Sequence, residues 1–277
     1  MDGTTTVRKR PALFRALGGA EPPPVIEIDG NRYGFVRTFK HDSWAATALY
    51  EGPDGLRVTC KFNRVQPIFI LPMRWLGRRL ARREADFLRR LDDQELVPSC
   101  LGTVTANGAP LPNAAARVYV EGEPFRTEDQ VDRRFFAELE QVLTVVHQRQ
   151  MAYVDLHKRE NIIVDPDGRP HLIDFQVSYA LGSRWPANGR IARWLLAQLQ
   201  ETDRYHFGKH ILRCLHDELT SEERLRYGRR PALISIHRKL TVPLRSLRRK
   251  LLVRLGIRDR SEMAGSELEP EDAFRGR

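Results

Sequence analysis

The stretch Tyr153-Val154-Asp155-Leu156-His157-Lys158-Arg159-Glu160-Asn161-Ile162-Ile163-Val164, followed after the turn Asp165-Pro166-Asp167-Gly168 by His171-Leu172-Ile173-Asp174-Phe175-Gln176, decides how this chain reads. Two apolar runs, Ile162 to Val164 and His171 to Ile173, flank an Asp-Pro-Asp-Gly turn and predict a buried β-hairpin. Asp155 lies in a polar loop before the hairpin, Asn161 enters it and Asp174 leaves it. Three oxygen-bearing side chains are thereby brought to one mouth. Phosphoryl transfer needs such a set, because its loose transition state is served by positioning and charge neutralisation. One carboxylate orients a hydroxyl, and a carboxylate with an amide oxygen suits a hard cation such as Mg2+.

Outward from this stretch the pattern changes twice. Before it, Phe135, Leu139, Val142, Leu143 and Val146 recur at helical spacing, predicting a core helix over Asp132 to Gln148. Further upstream, Ile26 to Ile28, Tyr33 to Phe39, Ala45 to Tyr50 and Leu56 to Phe62 are short runs punctuated by turns, Asp29-Gly30-Asn31 after the first and Pro53-Asp54-Gly55 before the last, a β-meander. A helix over Leu76 to Leu91 follows, with Leu76, Leu80, Phe87, Leu88 and Leu91 near one stripe. Strand-like runs at Leu101 to Thr105 and Ala115 to Val120 come next, and the chain from Ile191 is helix-rich. Residues 1–24 read as a loose extension, 25–120 as a β-rich lobe, 121–260 as a mainly helical lobe and 261–277 as an acidic tail.

These residues resemble the protein kinase-like superfamily, nearest to bacterial lipopolysaccharide core kinases and small-molecule phosphotransferases. The resemblance implies an α+β, two-lobed protein kinase-like fold with a small antiparallel β-rich N-lobe and a mainly helical C-lobe. Asp155 stands where the family has its catalytic-loop aspartate, Asn161 and Asp174 where it has its metal ligands. Asp174-Phe175-Gln176 is similar to the DFG motif with Gln in place of Gly. Val58-Thr59-Cys60-Lys61-Phe62 resembles the strand bearing the phosphate-binding lysine. Glu84, the one glutamate between Lys61 and Asp92, is that lysine's natural partner, although an ion pair with Arg79, Arg82 or Arg83 competes. Tyr119-Val120-Glu121-Gly122 falls at the implied hinge, where the family reads adenine. His157 reads equally as a loop hydrogen-bonder or a phosphate contact.

Three departures from the family stand out. Asn161 follows Asp155 by six residues, whereas the family uses five, so a wider loop is expected. The turn Lys40-His41-Asp42-Ser43-Trp44 holds no glycine where a Gly-rich phosphate loop would lie, leaving Lys40 or Ser43 to substitute. Gln176 and the lack of an Ala-Pro-Glu segment argue against a phosphorylation-switched activation loop.

Composition sets the partners. Lys and Arg number 46 against 36 Asp and Glu, a net charge of +10, so acidic partners are expected. Between Arg224 and Arg260 there are 13 basic residues and one acid, Asp259. Leu240, Leu244, Leu247, Leu251 and Leu255 form one stripe there, with Arg245, Arg248, Arg249, Lys250 and Arg254 around it. Such a helix either lies on an anionic membrane or packs on the lobe with a solvated basic face. Arg74 to Arg90, with Trp75 and seven arginines, tilts the reading toward peripheral membrane contact. Nucleic-acid signatures are absent. Three isolated cysteines exclude a disulfide framework, and the eight histidines show no zinc spacing. No apolar run reaches signal-peptide or membrane-spanning length, so a cytoplasmic placement, peripheral on the inner face of the membrane, is expected.

The resemblance thus implies a kinase using ATP and Mg2+ on a hydroxyl acceptor, a sugar or glycolipid of the lipopolysaccharide core type. An atypical serine/threonine protein kinase and a membrane-associated pseudokinase scaffold are the rival readings.

Overall fold

Short β-branched and aromatic runs between tight turns build the first half of the chain. Val25–Ile28 (β1) and Asn31–His41 (β2) meet at a turn where Asp29 and Gly30 take φ of 51° and 83°. Ala45–Glu51 (β3) and Arg57–Asn63 (β4) extend the meander, and Arg74–Arg90 forms helix α1. Val104–Ala106 (β5), Ala109–Pro110 (β6) and Ala114–Val118 (β7) complete an antiparallel sheet of order β6-β5-β1-β2-β3-β4-β7. Ile26, Tyr33, Ala48, Tyr50, Val58, Cys60 and Phe62 form the core on one face of that sheet. With period-2 alternation, Lys61 belongs to the other face, where α1 packs against β4 and β7.

Helix α1 and its C-cap bury Phe87, Leu88 and Leu91 of the expected stripe, but the first turns of the helix bring small residues inward in place of leucines. Gly77, Ala81, Glu84, Phe87 and Leu88 are its buried residues, whereas Leu76 and Leu80 are only half-buried. Small residues win because the helix lies close to the chain leaving β4: a Cβ on Gly77 would sit 2.3 Å from the Arg64 carbonyl oxygen. That close approach turns Glu84 inward.

The computed structural model describes residues 12–68, 71–126 and 131–229. They divide into two compact units, one of residues 12–92 and 98–119, the other of residues 93–97 and 120–229. Within the first, residues 12–24 correct the expectation of a loose extension. Ala16 is fully buried and its carbonyl accepts the N–H groups of Val65 and Gln66, both at 3.0 Å. The buried Arg64 guanidinium donates to the carbonyls of Leu13, Ser43, Gln66 and Pro67. Composition pointed to a tail, but these partners lie about fifty residues away in sequence.

The second unit is mainly helical. Asp132 caps Arg133–Gln148 (α2) by accepting the Phe135 N–H at 2.9 Å. Glu123–Pro124 (β8), Ile162–Val164 (β10) and Pro170–Leu172 (β11) form a three-stranded sheet, and Met151–Ala152 (β9) pairs with Tyr179–Ala180 (β12). Arg190–Cys214 (α3) and Ser221–Gly228 (α4) follow, the latter opened by a Thr220/Glu223 capping box. Phe125, Phe135, Phe136 and Phe207 pack ring to ring at the centre of this unit. The expected Leu240 to Leu255 helix and the acidic tail lie outside the described residues.

Candidate functional site

In the first unit, the antiparallel register sets Lys61 between Thr47 and Ala115, and α1 brings Glu84 to it. Lys61 Nζ lies 3.5 Å from Glu84 Oε2, with side chains 12% and 4% exposed. Two opposite charges this far from water are held by each other's field. Burial, with the Glu84 charge adding to it, pushes the neighbouring Cys60 thiol well up, so it stays protonated.

The turn between β2 and β3 lacks glycine and satisfies itself. Asp42 Oδ1 accepts the N–H groups of Trp44 at 2.7 Å and Ala45 at 2.9 Å. Burial alone would raise the Asp42 carboxyl, but Lys40, 2.8 Å from Oδ2, and these N–H groups hold it below its ordinary value. Ser43 Oγ donates to the Phe14 carbonyl. Lys40 and Ser43 therefore both have partners inside the turn and its neighbours.

The second unit gathers Asp155, His157, Lys158 and Asn161 in one loop. Lys158 Nζ sits 2.7 Å from Asp155 Oδ2, and Asn161 Nδ2 donates to the same oxygen at 3.2 Å. His157 Nδ1 lies 3.3 Å from Asp155 Oδ1. Burial would lower Lys158, yet Asp155, with Asp174 behind it, raises it, so the lysine is firmly cationic. The loop from Asp155 to Asn161 closes in a single 3-10 turn, Arg159–Asn161.

Asn161 and Asp174 are coupled through the hairpin, since the Ile173 N–H donates to the Asn161 carbonyl at 3.0 Å. Asp174 adopts a left-handed φ of 61°, and its Oδ1 accepts the Gln176 N–H at 3.4 Å. Phe175 is fully buried with its ring edge-on to Tyr153 at 5.1 Å, while the Tyr153 hydroxyl donates to the Ile173 carbonyl. This packing fixes the backbone on both sides of Asp174. Asn161 and Asp174 are hard oxygen donors. Among the described residues no group of three His, Cys, Asp or Glu side chains is placed to hold a metal. Such a pair suits Mg2+, which takes one or two carboxylates and completes its shell with phosphates and water.

One residue escaped the sequence reading. Asp203, fully buried on α3, accepts the N–H groups of Tyr153 at 2.8 Å and Val154 at 2.7 Å, with His147 Nε2 at 3.1 Å. It pins the backbone leading into Asp155, where Val154 is forced to a φ of 73°. Nothing in the run Thr202-Asp203-Arg204 announces this, because the partners lie about fifty residues upstream. Glu121 lies near the start of the second unit's main segment, and Gly122 after it takes a φ of 145° with no room for a side chain: a Cβ would meet the Val164 carbonyl oxygen at 2.1 Å.

No protein-family model matches the sequence, and no curated protein matches it. Two similar solved structures are Rio2 kinases from Chaetomium thermophilum. The first, a complex with ADP/Mg2+ and phosphoaspartate, is 16% identical with a TM-score of 0.49, covering 66% of this chain and 56% of that one. The second is 14% identical with a TM-score of 0.45, covering 62% and 55%. The chain spans little more than half the length of either. The fold is kinase-like in its own parts: an antiparallel sheet carrying Lys61 against a helix carrying Glu84, and a helical unit whose hairpin carries Asn161 and Asp174. Among the described residues no helix is long and apolar enough to cross a membrane.

Proposed function

We propose that the chain is an ATP- and Mg2+-dependent phosphotransferase acting on a hydroxyl, with a sugar or glycolipid of the lipopolysaccharide core type as acceptor. The observation that carries this reading is the Asp155 carboxylate held by Lys158 and Asn161 on one oxygen and His157 on the other. Fixed this way, the carboxylate is ready to orient a hydroxyl and receive its proton, while cationic Lys158 is at hand for charge developing on the transferred phosphoryl group. Asn161 Oδ1 and the Asp174 carboxylate would hold Mg2+, whose part is to neutralise phosphate charge. Lys61, steadied by Glu84, would hold the α- and β-phosphates, and the backbone beside Glu121 would receive the base. Peripheral membrane contact fits a lipid-linked acceptor and is supported by Leu71 and Trp75, both 61% exposed beside Arg74, Arg78 and Arg79.

One observation favours a second reading, a pseudokinase scaffold. Asp42 occupies with its own carboxylate the N–H groups that a phosphate-cradling turn would offer to nucleotide. Incubating the purified protein with Mg2+ and γ-labelled ATP, with and without a membrane-lipid extract, separates the readings. Label in glycolipid supports the proposal, label in protein supports a protein kinase, and no transfer supports the scaffold. Asp174→Asn should lose Mg2+-dependent nucleotide binding yet fold, since Asn tolerates a left-handed φ. Asp155→Asn should keep nucleotide and lower turnover by about 10²–10⁴-fold. Wild-type activity in both would show that the site is elsewhere.

A further inference from the structure

The segment between Asp174 and Glu201 contains no acidic residue and three arginines, Arg184, Arg190 and Arg193. It also carries an apolar surface that the phosphotransfer chemistry does not use. Ile191 is 83% exposed, Trp185 82% and Trp194 57%, with Leu195 also exposed. Ile191, Trp194 and Leu195 follow at helical spacing of three and one, within about 100° of arc on the first turns of α3. Leu196, on the opposite side, is buried and anchors those turns to the unit. Helix α3 therefore has an inner apolar contact and, separately, an outer apolar stripe.

The preceding loop is built rather than slack. The Gly182 N–H donates to the Ala187 carbonyl, the Asn188 N–H to the Arg184 carbonyl and the Gly189 N–H to the Pro186 carbonyl, all at 3.0–3.1 Å. Asn188 Nδ2 reaches the Ser183 carbonyl, and Arg193 Nε reaches that of Asn188. The Trp185 indole stands beside Gly189, the residue that caps α3, 3.7 Å from where a Cβ would be. A hydrogen-bonded loop thus presents a tryptophan to water just ahead of the first turn of α3.

We infer that the Ile191, Trp194 and Leu195 stripe, with Trp185 in the loop before it and Arg184, Arg190 and Arg193 in the same segment, forms a docking patch that seats in the headgroup region of an anionic lipid bilayer. Exposed tryptophans with aliphatic neighbours and arginines suit that boundary, where the rings rest at headgroup level and the cations meet lipid phosphates. Charge together with apolar content decides between occupants: the acidic residues 261–277 offer the arginines a counter-charge but few apolar side chains for the tryptophans, whereas an anionic bilayer offers both. A second copy would bring the same three arginines to the patch, and the basic Leu240 to Leu255 segment would bring five more cations. Both are repelled, whereas an anionic surface is attracted. The inference deepens the reading of a membrane-linked acceptor.

The test is flotation of the full chain with vesicles of phosphatidylcholine alone, or of phosphatidylcholine and phosphatidylglycerol in equal amounts, at low and raised salt. Binding to the anionic vesicles alone, weakened by salt, is expected. Trp185→Ser with Trp194→Ser should weaken it about tenfold or more. Arg184→Gln, Arg190→Gln and Arg193→Gln together should lower both the affinity and its salt dependence while leaving the apolar stripe intact. Mg2+-ATP binding, measured in parallel, should be unchanged in both variants, so that a failure of the nucleotide reading is told apart from a failure of the patch. The inference is overturned if wild-type protein ignores anionic vesicles. It is equally overturned if both variants bind like wild type, or if the chain self-associates through Trp185 and Trp194.

Discussion

Replacing Asp203 probes how the site is held, without touching any group that meets substrate. Its carboxylate accepts two main-chain N–H groups, those of Tyr153 and Val154, and pairs with His147. Asp203→Ala strands both N–H groups in a place water does not reach; at about 1–3 kcal/mol for each unpaired donor, a loss of roughly 3–5 kcal/mol follows. Asp203→Asn keeps one acceptor oxygen and sets an NH2 against a donor, so roughly 2 kcal/mol is expected. For a unit of this size the alanine variant should melt about 6–12 °C lower, taking 3 kcal/mol at about 2–4 °C each. The functional effect should exceed the loss of folded protein. Val154 is β-branched at a φ of 73°, and freed from Asp203 it relaxes and swings Asp155 away from its position. Urea titration followed by circular dichroism, with turnover measured well below the midpoint, checks both effects. Asp203→Asn within about 0.5 kcal/mol of wild type, and equally active, would refute the reasoning.

Lys61→Ala should destabilise the first unit by about 2–4 kcal/mol, since it removes a counter-charge from the buried Glu84; adding Glu84→Gln should restore most of that in denaturant titrations without restoring ATP use. Burial pushes His210 down to about 4 although its bond to the Leu156 carbonyl works the other way. A neutral His210 therefore favours the folded chain fully above about pH 6.5, and that contribution is lost as pH falls from there toward 4, because the unfolded chain takes the proton first. Imidazole NMR showing His210 titrating near its ordinary value would contradict this. Gly122→Ala should cost about 1–3 kcal/mol and broaden the β8–β10 amide signals, for its Cβ would press on the Val164 carbonyl.

Local periodicity made much of this chain legible. The hairpin around Asp165 appears as Ile162–Val164 and Pro170–Leu172, and the core helix as Arg133–Gln148, because turn residues and 3.6-residue spacing are properties of adjacent residues. The spacing of Asp155, Asn161 and Asp174 was readable for the same reason. What was hidden depends on distant partners. Leu76 and Leu80 misled because proximity to the Arg64 carbonyl favours Gly77 and Ala81 on the inner face, while Leu88 and Leu91 are buried as their spacing predicts. Asp203 gave no signal since its ligands are backbone groups, which any sequence possesses. Residues 12–24 resembled a tail because the groups that fix them belong to the turn after β2 and to the chain just beyond β4, distant in sequence.

The Arg64 guanidinium also orders events in time. Its contact with Leu13 spans 51 residues, so during synthesis the early segment waits roughly 3–10 s for its clasp, at about 5–20 residues per second. Ala16 waits as long for the Val65 and Gln66 amides. The part of the first unit that leaves the ribosome earliest therefore stays unplaced until the chain beyond β4 has emerged, and a nascent chain halted before then would still present that part to proteases.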